Sequence, residues 1–243
     1  MNSKELIALR VAQEVQPGSL VNLGIGLPTL VAQYVPVEAD VFFQSENGII
    51  GIGGLPDGME NPSLSDAGGS MIGALRGAAA FDSAFSFGLI RGGHLDMTIF
   101  GGLQVDKNGR LANWIIPGKM VPGMGGAMDL VSCAKRVVVA MTHTAKGVAK
   151  ILQTLTLPMT SDRRVDLIIT ELAVILPSDQ GLILKELAPG VEIEQVRAVT
   201  EAELIVVAPV TTMKLGTSKD VFDQRLGGSG MESKDTSTQN KVC

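Results

Sequence analysis

The sequence predicts an open α/β fold, a mostly parallel sheet with helices on both faces. Three observations predict it. The 243 residues are 45% hydrophobic but only 4% aromatic, so the core must be built from Val, Leu, Ile, Ala and Met. The 29 glycines supply many short turns, as α/β proteins require. Aliphatic runs such as Arg136 to Met141 and Val165 to Thr170 read as strands buried on both sides.

The elements follow in order. Ile7, Val11 and Val15, with Leu6, make an apolar face for a helix over about residues 4–15. Ser3 is its expected N-cap, and Pro17-Gly18 stops it. Ser19 to Leu23 reads as a strand, and Leu27 to Tyr34 as a helix with Pro28 in its first turn. Val41 to Gln44 is the next strand. Asp57 to Ser65 is loop-like, and small residues dominate from Ala67 to Ala80. Phe85 to Leu89, Met97 to Phe100 and Leu111 to Ile116 read as strands, with a turn at Asp106 to Gly109. Met128 to Ala134 is expected to be helical. Leu172 to Leu176 and Leu182 to Leu187 flank Pro177 to Gly181 as a hairpin. From Gly227 onward large apolar residues almost vanish, which gives a body over 1–226 and a mobile tail over 227–243.

Composition narrows the function. Net charge is −5, pI is about 5.1, and no basic patch stands out, which argues against nucleic acid. Cys133 and Cys243 have no metal-ligand spacing and imply no disulfide framework, so a cytoplasmic location is expected. The N-terminus lacks a signal-peptide layout, and no apolar run is long enough to span a membrane.

The chemistry concentrates at Glu46. Val41-Phe42-Phe43 ends at this carboxylate, and glycines follow at 48, 51, 53 and 54. The run reads as a strand entering a tight Gly-rich turn, where backbone amides can approach a bound group. A carboxylate displayed there can act as nucleophile or base. Other constellations fail. Gly24-x-Gly26 meets Thr29, and Gly51-x-Gly53 meets Pro56, where a dinucleotide fingerprint needs Gly. Pro117-Gly118-Lys119-Met120 lacks the Walker Ser/Thr. His94 and His143 form no metal pattern; a structural hydrogen bond is the expected role of each, though His143 at a strand end could touch ligand. No Gly-x-Ser-x-Gly elbow is present. Gly123-Met124-Gly125-Gly126 precedes a helix, where amides can hold negative charge. Lys119 and Lys146 are candidate partners for an anionic ligand.

Several blocks, in order, resemble one family. Ser45-Glu46-Asn47-Gly48 with Gly51-Ile52-Gly53 is similar to the active-site motif of family I CoA-transferases, in particular the β subunit of the 3-oxoacid (acetoacetate-type) enzymes. Asn22 to Pro28, Ile90 to Asp96, Leu111 to Lys119, Gly123 to Leu130 and His143 to Gly147 match further blocks, so the resemblance runs from about residue 5 to about 205. It implies Glu46 as the catalytic residue. It implies Asn22, Gly24, Gly26, Ser45, Asn47, Gly48, Gly51, Asn113, Lys119, Gly125 and Gly126 as substrate and CoA contacts. It implies ping-pong transfer through a glutamyl-CoA thioester, with CoA as substrate and neither metal nor other cofactor. It also implies a separate α subunit, in a heterotetramer of two α and two β subunits, acting on an acyl-CoA and a short carboxylic acid. The tail beyond 227 departs from the family pattern. Two other readings stand beside this one: an acyl-CoA hydrolase in which Glu46 directs water, and a non-catalytic metabolite-binding protein on the same fold.

Overall fold

The computed structural model describes residues 1–54, 61, 63–118 and 123–215. Lys119 and the expected tail at 227–243 lie outside them. Helix α1 (Ser3–Ala12) opens the chain, capped by Asn2 rather than Ser3. The Asn2 side chain accepts from the Glu5 amide, and the Glu5 carboxylate accepts from the Asn2 amide, a reciprocal capping box. Ile7, Val11 and Val15 are fully buried, as their spacing predicts.

Strand β1 (Leu20–Leu23) leads into a 3₁₀ helix over Leu27–Tyr34, where the sequence suggests a helix. Strands β2 (Phe42–Ser45), β3 (Ile49–Gly53) and β4 (Gly73–Ala80) follow. The segment expected as a strand at Phe85 to Leu89 is helix α2 (Ser83–Arg91). Phe-Ser-Phe-Gly-Leu satisfies a two-residue alternation, but the Asp82 carboxylate caps the Phe85 amide at 2.8 Å and starts a helix that buries Ser86 and Ile90, four apart. Strands β5 (Met97–Phe100), β6 (Gln104–Asp106) and β7 (Leu111–Ala112) come next. The strand expected to run to Ile116 stops at Ala112, and Asn113 turns instead to pair with Thr160.

Helix α3 (Ala127–Cys133) precedes β8 (Arg136–Ala140). The two-residue strands β9 (Thr144–Ala145) and β10 (Val148–Ala149) form a small hairpin, and β11 (Ile151–Leu152) pairs with β6. Strands β12 (Leu167–Ile169), β13 (Ala173–Ser178) and β14 (Gly181–Leu187), helix α4 (Ile193–Ala198) and β15 (Leu204–Thr212) complete the described chain. The expected hairpin around residues 177–181 is β13–β14.

The main sheet has ten strands in the order β15-β14-β13-β12-β8-β5-β1-β2-β3-β4. Its centre, β12-β8-β5-β1-β2, is parallel, with an antiparallel hairpin joined at each side. Both faces are covered. On one, α1 packs Ile7 and Val11 on Val21, Ile99, Val138 and Ile169. On the other, Ile90 of α2, Leu130 and Val131 of α3 and Val196 of α4 meet Val137, Val139 and Ile168. Alternate residues of β8 therefore enter opposite cores, which explains its unbroken aliphatic run. Each fully buried Val, Leu or Ile contributes roughly 1.5–3 kcal/mol by leaving water.

One charged cluster also joins the layers. Arg10 of α1, 6% exposed, donates to both Glu186 oxygens at 2.8 Å and to Glu14 at 2.7 Å, and Arg136 reaches Glu14 at 2.5 Å. Burial opposes charge on Glu14, but Arg10 and Arg136 outweigh it and hold the carboxyl below its usual range. Among the described residues no helix is long and apolar enough to cross a membrane.

Candidate active site

The carboxyl ends of the central parallel strands share one edge of the sheet, where such folds place their ligands. Glu46 follows the last residue of β2 at that edge and is partly exposed. The turn beyond it is tight. The Gly48 amide donates to the Ser45 carbonyl at 3.0 Å, and its own carbonyl accepts from the Phe81 amide at 2.9 Å. Gly48 has φ 119°, a conformation that L side chains rarely adopt, and its missing Cβ leaves room for the Phe81 carbonyl.

The turn before α3 meets this carboxylate. A Cβ on Gly126 would lie 3.2 Å from both Cγ and Oε1 of Glu46 and 3.1 Å from Cζ of Phe87. A Cβ on Gly125, which has φ 54°, would lie 3.7 Å from Glu46 Oε1. Glu46, Gly125, Gly126 and Phe87 thus converge from β2, the α3 turn and α2. Phe87 stacks in turn under the Arg91 guanidinium at 5.5 Å, and Arg91 pairs with Asp129 of α3 at 2.7 Å.

The other predicted contacts fall into two groups. Ser45 and Asn47 stay beside Glu46 and shape its loop: Ser45 Oγ accepts from the Ala67 amide at 2.8 Å, and Asn47 Nδ2 donates to the Ser65 carbonyl at 2.7 Å. Gly24 lies against β5, its amide donating to the Ile99 carbonyl, and Gly26 has φ 85° at the exposed entrance to the 3₁₀ helix. Three residues are placed differently from expectation. Asn22 has no exposed surface; its amide group is taken up by Gln44 and Thr98 inside the sheet, which makes it a support beneath the site. Gly51 lies within β3 rather than in the turn, where φ 87° and the lack of Cβ let the Ala78 backbone approach. Asn113 holds the Thr160 hydroxyl at 2.7 Å and anchors a loop.

His143 takes the structural hydrogen-bonding role expected of it and not the alternative of touching ligand. It is fully buried, and its ring nitrogens meet Thr170 Oγ1 at 2.9 Å and Thr200 Oγ1 at 2.8 Å. Burial, with the nearby Lys150 charge, pushes it down to about 4, so it is a neutral structural residue at ordinary pH. Lys146 stands exposed at the tip of the β9–β10 hairpin with φ 52°. In the Ile90 to Asp96 block, Asp96 accepts from the Leu20 amide at 2.9 Å and from Lys135 at 2.7 Å, which hold its carboxyl below the usual range. Phe87 and the buried pair Gln44 and Ser86 have no signature in the sequence; only the fold brings them to the site. Among the described residues no group of three or more His, Cys, Asp or Glu is placed to hold a metal ion.

The sequence and the fold both have counterparts among known proteins. A family described as coenzyme A transferase matches residues 4–198. The β subunit of acetate CoA-transferase from Escherichia coli K12 is 53% identical over 215 residues, covering 88% of this chain and 99% of that one. The corresponding subunit of a probable succinyl-CoA:3-ketoacid coenzyme A transferase from Bacillus subtilis is 50% identical over 206 residues, covering 84% and 95%. The crystal structure of an acyl-CoA transferase apoenzyme from Escherichia coli O157:H7 superposes with a TM-score of 0.72 at 24% identity, covering 89% of this chain but 45% of that one. The chain belongs to the coenzyme A transferase family, enzymes that move CoA, and within it to the β-subunit type.

Proposed function

We propose that this chain is the β subunit of an enzyme that moves CoA between an acyl-CoA and a short 3-oxo acid, with Glu46 as nucleophile. The placement of the Glu46 carboxylate at the sheet edge, against the Gly125-Gly126 turn, carries the reading. A Glu46 oxygen attacks the thioester carbonyl and expels CoA thiolate, leaving an acyl-glutamyl anhydride. The thiolate attacks the glutamyl carbonyl of that anhydride and releases the first carboxylate. What remains is a glutamyl-CoA thioester. The acceptor carboxylate attacks this thioester, and the same two steps in reverse return a free Glu46 and the new acyl-CoA. Thioester energy is conserved throughout, so CoA enters as substrate and the steps call for no metal or other cofactor. Covalent catalysis divides the transfer into easier steps. A close glycine backbone suits the developing oxyanions.

An α subunit is part of the proposal. Several relatives are named as β subunits, and this chain covers 45% of the superposed acyl-CoA transferase chain. Glu46 is partly open in the chain alone, and an open carboxylate would pass its acyl group to water. An α subunit that closes over Glu46 would turn hydrolysis into transfer, in a heterotetramer of two α and two β subunits. The names of the relatives support either acetate or a 3-oxo acid as acceptor. The test is product analysis on the chain with and without its α subunit, given acetoacetyl-CoA and either acetate or succinate. Transfer that depends on the α subunit is expected; equal transfer by the chain alone would overturn the divided enzyme.

A further inference from the structure

Beneath Glu46 runs a buried chain of polar side chains that the reaction itself does not use. Gln44, two residues upstream and 1% exposed, accepts at Oε1 from Asn22 Nδ2 at 2.8 Å and donates from Nε2 to Ser86 Oγ at 3.1 Å. Asn22 Oδ1 accepts from Thr98 Oγ1 at 3.1 Å, and Asn22 Nδ2 also donates to the Gln44 carbonyl at 3.2 Å. Asn22, Ser86 and Thr98 have no exposed surface. The chain therefore crosses β5, β1 and β2 and ends in α2.

The strands are already tied by their backbone ladders. What the side chains add is a fixed link from β2 to α2. That link closes a circuit. Ser86 is followed in α2 by Phe87, the Phe87 ring lies against Gly126, and Gly126 lies against Glu46. Strand β2 brings the chain from Glu46 back to Gln44. The distance between the carboxylate and the glycine turn is thus set from both sides, and Gln44–Ser86 is the joint between them. Apolar side chains could fill the same space without burying polar groups, so packing alone gives no reason for the network.

We propose that Gln44, acting through Ser86, is a positioning residue that sets Glu46 against the Gly126 turn. The proposal rests on the reading of Glu46 as the reacting carboxylate. In the complex with the α subunit, assayed with acetoacetyl-CoA and succinate, Gln44→Leu and Ser86→Ala lower kcat by ~10–10²-fold, because small misplacements of a reacting group cost that much. KM for acetoacetyl-CoA stays within about twofold, because Gln44 and Ser86 are buried and do not reach the ester themselves. Gln44→Glu separates positioning from bulk. Its protonated form keeps the donor to Ser86 and the acceptor for Asn22, whereas its ionised form must turn the Ser86 hydroxyl round to donate and buries a charge among neutral partners, which resets the joint; burial raises the carboxyl into an accessible range. Its kcat relative to the parent therefore rises as pH falls from about 8 to about 6. A folded Gln44→Leu complex with parental kcat overturns the proposal. If that variant fails to fold, a pH-independent ratio for Gln44→Glu overturns it instead. Glu46→Ala is measured alongside. Normal turnover there removes the reading of Glu46 and this proposal with it, whereas an inactive Glu46→Ala beside a fully active Gln44→Leu removes only the positioning role.

Discussion

Gly126→Val tests the contact between the α3 turn and the reacting carboxylate. The backbone does not stand in the way, since φ at Gly126 is −80°. The crowding does. The first added carbon already lies 3.1–3.2 Å from Phe87 and Glu46, short of the 3.4 Å at which ordinary contact begins. Alanine asks the neighbours to yield by a few tenths of an ångström; valine, with two more methyl groups, asks for more. Overpacking of this kind costs ~1–3 kcal/mol, which lowers the melting temperature by roughly 2–10 °C at this chain length. The functional loss is larger. A carboxylate displaced by ~0.5–1 Å loses ~10–10²-fold in kcat. The assay pairs kcat for acetoacetyl-CoA and acetate, on the complex with the α subunit, with a thermal melt. Gly88→Ala is the control: its Cβ meets nothing within 4 Å and it lies in α2. It should gain ~0.5–1 kcal/mol and leave kcat unchanged. A Gly126→Val complex that melts and turns over like the parent would refute the contact.

Three further outcomes follow from the geometry. Gly48→Ala places a Cβ against the Phe81 carbonyl at φ 119°, so it should lose at least ~2–3 kcal/mol in denaturant unfolding; a loss under about 0.5 kcal/mol would contradict the turn. His143 keeps off its proton down to about 4 in the folded chain, against 6.5 as its ordinary value, so the unfolded chain binds more protons between those pH values and stability falls as pH drops through them, by ~3 kcal/mol in all. His143→Gln should remove that part of the acid sensitivity, read from melts between about pH 7 and 4. Arg10→Ala takes the paired guanidinium from the half-buried Glu186 and leaves Glu14 with Arg136 alone, and should cost ~2–4 kcal/mol, whereas Arg164→Ala, at an exposed pair with Asp179, should cost under about 1 kcal/mol by the same measurement.

The legible parts of the fold are those with local signals. The α1 face, β8 and the β13–β14 hairpin announce themselves by periodicity and turn residues. Glu46 stands out because an apolar run ends at a carboxylate among glycines. Phe85 to Leu89 is ambiguous because its alternation fits a strand, yet Asp82, three residues before Phe85, is a helix-start signal that could decide it. Gly51 reads as a turn glycine in sequence, but it serves the close pairing of β3 with β4. Asn22 and His143 have side chains that suit ligands, and only tertiary structure shows their polar atoms already taken. Phe87, Gln44 and Ser86 have no signal at all: Gln44 and Ser86 meet across 42 positions of sequence, and Phe87 reaches Gly126 only through α2–α3 packing.

The central claim is that Glu46 carries CoA. The complex with the α subunit is incubated with acetoacetyl-CoA alone, treated with borohydride, digested and analysed by mass spectrometry. The expected result is that the peptide containing Glu46, and no other, has its carboxyl converted to a primary alcohol, since borohydride reduces a glutamyl carbonyl activated by CoA and leaves free carboxylates untouched, and that Glu46→Ala abolishes both the modification and turnover. An unmodified Glu46 in a complex that turns over, or full turnover by Glu46→Ala, would contradict it.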